Sequence, residues 1–173
     1  YVDANAGGGV VSGGTDNAIL RADGTGGSTS QGSGVILTDA NVLQAGNGCA
    51  TTPTYSFACS TNMGWYRAAA NQPALATEGA ERLRVEGAKL FIKDTANSKQ
   101  SIGLTINQTD NDNEIFALKS DEVSHDVTGH AETDTYFTIQ KYQNTSGGAY
   151  LIGYKDADGS NNGALAMRGL LGE

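Results

Sequence analysis

The chain has 173 residues, with 24 glycines, two prolines and a formal net charge of −8. So acidic a surface repels phosphate backbones, and no apolar run approaches the ~20 residues that cross a bilayer, which argues against nucleic-acid binding and membrane insertion. Only 17% of the residues are charged and 7% are aromatic, a composition that suits short strands joined by tight turns.

The N-terminal part divides into two predicted segments. Residues 1–14 are small and Gly-rich, which predicts an arm or linker. Residues 15–48 alternate short apolar runs with turn-forming residues, and they are predicted to form a β module with strands at 18–20, 35–37 and 42–43.

Residues 49–95 are predicted to form a second β module that carries both cysteines. The Ala-rich run 68–87 has the composition of a helix, but Pro73 and Gly79 interrupt it and Leu83 and Val85 alternate with charged residues. Short strands are therefore predicted at 54–57, 63–66, 74–77, 81–86 and 88–93.

Residues 96–173 have the clearest period-two alternation and are predicted to be a C-terminal β module. Strands are expected at 101–106, 114–118, 136–142 and 149–154, separated by stretches rich in Asn, Asp and Gly. The whole chain is thus predicted to be all-β, as an elongated series of small modules.

The predicted strands contain few large apolar residues, and this composition bears on the oligomeric state of the chain. Each ordered residue costs ~1–2 kcal/mol of conformational entropy, and Gly-interrupted strands with few aromatics bury little apolar area in return. Identical copies that share a core would supply that area and cover exposed strand edges. The composition predicts a homo-oligomer but does not set the number of copies.

Three stretches resemble modules of bacteriophage tail-fibre and head-fibre-like virion proteins. They are residues 14–43 (GTDNAILRADGTGGSTSQGSGVILTDANVL), 53–85 (PTYSFACSTNMGWYRAAANQPALATEGAERLRV) and 114–156, with its FALKSDEVSHDVT and ETDTY blocks. The second stretch departs from the usual pattern at Ala58-Cys59-Ser60, where Gly-Asp is typical, and at Met63, where Thr is typical.

The resemblance implies an intertwined or packed homotrimer in a tail, head fibre or capsid decoration, extracellular when mature. It implies other virion proteins and host-surface glycans as partners, and no catalytic residue or cofactor. Longer relatives continue past the equivalent of the last residues, and the chain starts at Tyr1 rather than Met, so a piece of a longer protein or a processed N-terminus is expected.

Few residues are candidates for chemistry. Cys49 and Cys59 are either a disulfide or two buried or semi-buried thiols, and their spacing without a nearby His argues against zinc. His125 and His130 could meet a metal on a threefold axis, or simply be surface or subunit-contact histidines. The Asn- and Asp-rich segments 110–114 and 156–163 are either calcium loops or polar turns.

Aromatic and charged side chains suggest surfaces rather than catalysis. Trp65, Tyr66, Tyr136 and Tyr142 are candidates for glycan stacking or for interface packing, with Tyr150 and Tyr154 as further members of the set. The charges at 81, 82 and 84 are interpreted as ion pairs in preference to a binding patch.

The sequence contains no nucleophile elbow, P-loop or dinucleotide fingerprint. The prediction is therefore a non-enzymatic structural component of a phage virion, either a spacer or a part that contacts the host. The alternative is a secreted bacterial filament or adhesin subunit that assembles by donating the 1–14 arm to a neighbour.

Overall fold

The computed structural model describes residues 17–23, 29–157 and 163–169. Within these residues it is all-β, as predicted, with twelve strands and no helix. The strands are β1 Ala18–Asp23, β2 Thr29–Leu37, β3 Leu43–Gln44, β4 Tyr55–Phe57, β5 Ser60–Ala69, β6 Gln72–Thr77, β7 Ala80–Glu86, β8 Lys89–Ile92, β9 Gly103–Ile106, β10 Glu114–Lys119, β11 Thr135–Gln143 and β12 Gly147–Gly153. The described part of the chain therefore has no helix that could cross a membrane.

The strands form three small sheets in which sequence neighbours lie side by side. The orders are β1-β2-β3, β4-β5-β6-β7-β8-β9 and β10-β11-β12, and the pairs with a defined register are all antiparallel. Antiparallel neighbours need only short connections, so the turn-forming residues between the predicted strands account for this topology.

Two compact units divide the chain after Thr105. The N-terminal unit contains the first two sheets, and the C-terminal unit contains the third. β9 hydrogen-bonds to β8 and so extends the six-stranded sheet beyond residue 95, and the predicted module bounds stay a prediction. The predicted arm at 1–14 lies outside the described residues.

Each predicted strand has a counterpart, and the Ala-rich run 68–87 forms a hairpin instead of a helix. The hairpin turns between β6 and β7 at Glu78 and Gly79, which have φ values of 55° and 72°. Two consecutive residues with positive φ produce the tight turn whose twist matches a β-hairpin. Local turn geometry thus overrides the helix propensity of alanine.

The cores are small. In the N-terminal unit, Tyr66, Ala74 and Ala76 are buried together, with Ala50 and Ala68 packed against them. In the C-terminal unit the fully buried side chains are His125 and Thr138. Neither core contains a cluster of large aliphatic side chains among the described residues.

Candidate interaction surface

The register of the six-stranded sheet sorts its side chains onto two faces. Residues directly opposite each other in antiparallel strands point to the same side. One row crosses four strands, β5 to β8, on what we call the packed face: Tyr66, Ala74, Arg84 and Phe91. A second row crosses five strands, β4 to β8, on what we call the open face: Tyr55, Trp65, Leu75, Leu83 and Ile92.

The packed face carries a polar network around Glu81. Arg84 donates to the Glu81 carboxylate through Nε at 2.7 Å and Nη2 at 2.8 Å, and through Nη1 to Gln72 Oε1 at 3.1 Å. The buried Tyr66 hydroxyl donates to Glu81 Oε2. Burial, reinforced by this hydrogen bond, raises the pKa of Tyr66 to about 12. The hydrogen bonds to Glu81 also raise the pKa of Arg84.

These contacts make the charges at 81, 82 and 84 part of ion pairs, as the sequence suggested. Arg84 pairs with Glu81 on the same strand, and Arg82 pairs with Glu78 at 2.9 Å beside the β6–β7 turn. Glu81 and Arg84 have side chains only 16% and 18% exposed. The network therefore ties β5, β6 and β7 together beneath the sheet instead of presenting charge to a ligand.

The open face has the reverse polarity. Tyr55 is 53% exposed, Phe57 61% and Trp65 49%. Three aromatic rings are thus far more accessible than the ion pair on the opposite face. A lone folded chain ordinarily turns its apolar face inward and its charges to water, so this sheet is inverted relative to that arrangement.

The C-terminal unit covers one face of its sheet with the loop before β11. His125 in this loop is buried; its Nε2 donates to the Thr135 carbonyl at 2.6 Å, and its Nδ1 accepts from the Val127 N–H at 3.2 Å. The ring stacks on Tyr154 with centroids 5.3 Å apart, and the Tyr154 hydroxyl shares a 3.2 Å hydrogen bond with Thr138. A neutral imidazole protonated on Nε2 satisfies both contacts.

This arrangement changes the interpretation of the two histidines. Both nitrogens of His125 are engaged within the fold, so in this state it is neither a surface residue nor a metal ligand. His130 is exposed. Among the described residues, no three His, Cys, Asp or Glu side chains come together as a set that could hold a metal.

The other face of the C-terminal sheet is also apolar and uncovered over much of its area. Phe116, Ile139 and Leu151 lie opposite one another across the three strands, and Phe116 and Leu151 are exposed. Near one end, Ala164 and Leu165 cross the sheet at Gly153, where a Cβ would meet the Ala164 carbonyl oxygen at 2.1 Å. Both units therefore leave an apolar row facing outward.

The predicted aromatic set does not come together as one site. Trp65 and Tyr66 are chain neighbours on opposite faces, one exposed and the other buried. Tyr136 and Tyr142 are both exposed, and they lie near opposite ends of β11. Tyr142 packs against Tyr150, with ring centroids 4.6 Å apart. Of this set, only Trp65 lies within an extended apolar surface of the six-stranded sheet.

The cysteines are two exposed free thiols, so the expectation of buried or semi-buried thiols is wrong, and the predicted disulfide stays a prediction. Cys49 Sγ lies 3.2 Å from the Thr51 hydroxyl and 3.1 Å from the Thr52 hydroxyl. These hydrogen bonds stabilise the thiolate and lower the pKa of Cys49 to about 7. As for the acidic segments, Asp112 forms an ion pair with Lys141, and residues 158–162 of the second segment lie outside the described residues.

The open face went unrecognised in the sequence, although a signal for it is present. Apolar residues recur with period two through β5 to β8, at Met63, Trp65, Leu75, Leu83, Val85, Leu90 and Ile92. The pattern predicts that one face is apolar but not whether the chain itself covers that face. Comparisons with protein families, with characterised proteins and with solved structures find no match to this chain.

Proposed function

We propose that this chain is a structural component of a phage virion, a fibre or decoration segment that functions as a homotrimer. One observation carries the proposal. Among the described residues, three aromatic side chains larger than His are buried (Tyr66, Phe91 and Tyr154), whereas seventeen large hydrophobic side chains are exposed.

The energetic argument follows from that imbalance. Burying a large apolar side chain contributes about 1.5–3 kcal/mol, while ordering each residue costs ~1–2 kcal/mol. With so few large side chains buried, a solitary chain would have little net stability. Association of identical copies through the exposed apolar rows would bury them and raise that stability with protein concentration.

The virion assignment is supported by the fibre-like blocks at 14–43, 53–85 and 114–156, and by an all-β architecture of small sheets joined in sequence order. Other virion proteins and host-surface glycans are the proposed partners, and the virion surface is the proposed location.

Two experiments test the proposal. Light scattering on the full chain should give about 53 kDa, three times the 17.8 kDa of one chain. A stable monomer, or an open-ended polymer of the kind expected from a bacterial filament subunit, would refute the trimer. Immunogold labelling of particles from a phage encoding the chain should decorate fibres or the capsid surface; unlabelled particles would refute the virion assignment.

A further inference from the structure

We propose that the open face of the N-terminal unit is the surface that a second copy of this chain covers in the assembly. The open face is made of the outward side chains of β4 to β8: Tyr55, Phe57, Met63, Trp65, Leu75, Leu83, Val85, Leu90 and Ile92. This inference rests on the proposed self-association and names the surface that performs it.

The charge distribution favours an identical copy as the occupant. The chain carries 19 carboxylates, and none of them lies among the outward side chains of β4 to β8; Glu81 and Glu86 point to the packed face. Copies with a net charge of −8 each repel one another. A face without carboxylates lowers that repulsion where such copies approach closely, which favours the open face as a contact surface.

The composition of the open face is that of a protein–protein interface core. Such cores are enriched in Tyr, Trp, Phe, Met and Arg and depleted in Lys, Glu and Asp. The open face has all three aromatic types, Met63, and Arg67 at its border beyond Trp65. Aromatic and arginine side chains are also the residues that most often dominate binding energy.

The area is of the right size for a stable association. From their exposed fractions of 53%, 61% and 49%, Tyr55, Phe57 and Trp65 offer roughly 250–400 Å² if an aromatic side chain buries about 150–250 Å². That is a third to a half of the ~800 Å² per partner in a standard interface. The part-exposed aliphatic side chains of β6 to β8 extend the same surface.

A sugar fits this face less well than a protein does. Carbohydrate hydroxyls need several hydrogen-bonding groups beside the aromatic ring, and the two arginines beside this face each already donate to a protein partner. Arg82 donates to Thr77 Oγ1 at 2.8 Å and to Glu78 Oε2 at 2.9 Å, and Arg67 Nη1 donates to Asn47 Oδ1 at 3.2 Å. The open face instead offers a continuous apolar contact area.

Trp65 provides the test, because it is the only tryptophan in the chain. Acrylamide quenching of its fluorescence should be measured on the full chain, with the mass followed by light scattering in the same samples. If a second copy covers the open face, quenching will be several-fold weaker at concentrations where the chain is trimeric than after dilution to monomer, and the emission will shift to the blue.

Two charge substitutions separate this surface from others in the same unit. We expect Leu83→Glu, in the middle of the open face, to reduce the mass from about 53 kDa to 17.8 kDa. Val42→Glu is the matched control, because Val42 is an exposed apolar residue in a turn outside the six-stranded sheet. It should leave both the mass and the quenching unchanged.

The outcomes distinguish the two proposals. A wild-type trimer whose Trp65 is quenched as strongly as a free indole would overturn the assignment of this face and leave the trimer intact. A wild-type monomer would overturn the trimer itself. If Leu83→Glu failed to fold, as circular dichroism would show, the quenching of wild-type Trp65 would still decide the assignment.

Discussion

Gly64 is a position where the structure predicts that adding a single Cβ atom will separate two paired strands. It lies in β5 opposite Ser56 of β4, with a φ of 148°. A Cβ at this position would lie 1.7 Å from the Tyr55 carbonyl oxygen, 2.8 Å from the Tyr55 carbonyl carbon and 3.1 Å from Ser56 Cα. These are all backbone atoms, so no side-chain rotation can relieve the overlap. The substitution Gly64→Ala should therefore push β4 away from β5.

The size of the effect follows from that displacement. Ordinary van der Waals contact begins near 3.5 Å, so β4 would have to move by roughly 2 Å, which breaks its hydrogen bonds to β5. β4 has only three residues, so about two hydrogen bonds worth ~0.5–1.5 kcal/mol each are lost. Strain from the positive φ of a residue with a Cβ adds about 1–2 kcal/mol. The total is about 2–5 kcal/mol.

Urea unfolding followed by Trp65 fluorescence measures this loss, because Trp65 adjoins Gly64 and pairs with Tyr55 across the same ladder. With a slope of ~2 kcal/mol per molar urea, the midpoint should fall by about 1–2.5 M. Gly46→Ala is the control, since a Cβ there meets no atom within 4 Å. The two variants are compared at equal protein concentration, because the proposed self-association would make stability depend on concentration. Equal midpoints for the two variants would refute the reasoning.

Three further predictions concern titratable and buried groups. The pKa of Tyr66, raised to about 12, means that its stabilising contribution is complete below pH ~10 and is lost as the pH rises through 12, at up to about 1.4 kcal/mol per pH unit. The difference in unfolding free energy between wild type and Tyr66→Phe should therefore depend on pH only in that range. His125→Leu should destabilise the C-terminal unit by about 1–3 kcal/mol, because the buried Thr135 carbonyl loses its hydrogen-bond partner. Hydrogen exchange would show this as lost protection, whereas His130→Leu at an exposed position should leave protection unchanged; equal protection in the two variants would contradict the buried role. In a Cys59→Ser background, the alkylation rate of Cys49 should reach half its maximum at pH about 7; a midpoint near 9 would show that the threonine hydrogen bonds do not form in solution.

Local pattern was sufficient to predict the strands. Period-two alternation marks residues 136–142 as a strand, and the structure has β11 there. The turn at Glu78 and Gly79 lies between alternating segments, and the chain reverses there. Strand and turn preferences are properties of a few consecutive residues, so they can be read without knowing the rest of the fold.

The exposure of the open face could not be predicted in the same way. Alternation places Trp65 and Tyr66 on opposite faces of the sheet. It does not determine which of the two side chains is exposed to water. That choice depends on Ala50, which another segment of the chain packs against the buried cluster of Tyr66, Ala74 and Ala76. It also depends on the Arg84–Glu81 ion pair, which forms at the bulge in β7. The burial of His125 likewise depends on Thr135, ten residues away, and on Tyr154 beyond the following hairpin.

The sequence by itself determined the all-β class and the positions of the strands. Only the tertiary structure decided that the charged network is covered while Tyr55, Phe57 and Trp65 face outward. The physical reason is that secondary structure follows from local dihedral and burial periodicity, whereas the exposure of a face follows from long-range register and from the residues that another segment brings against it.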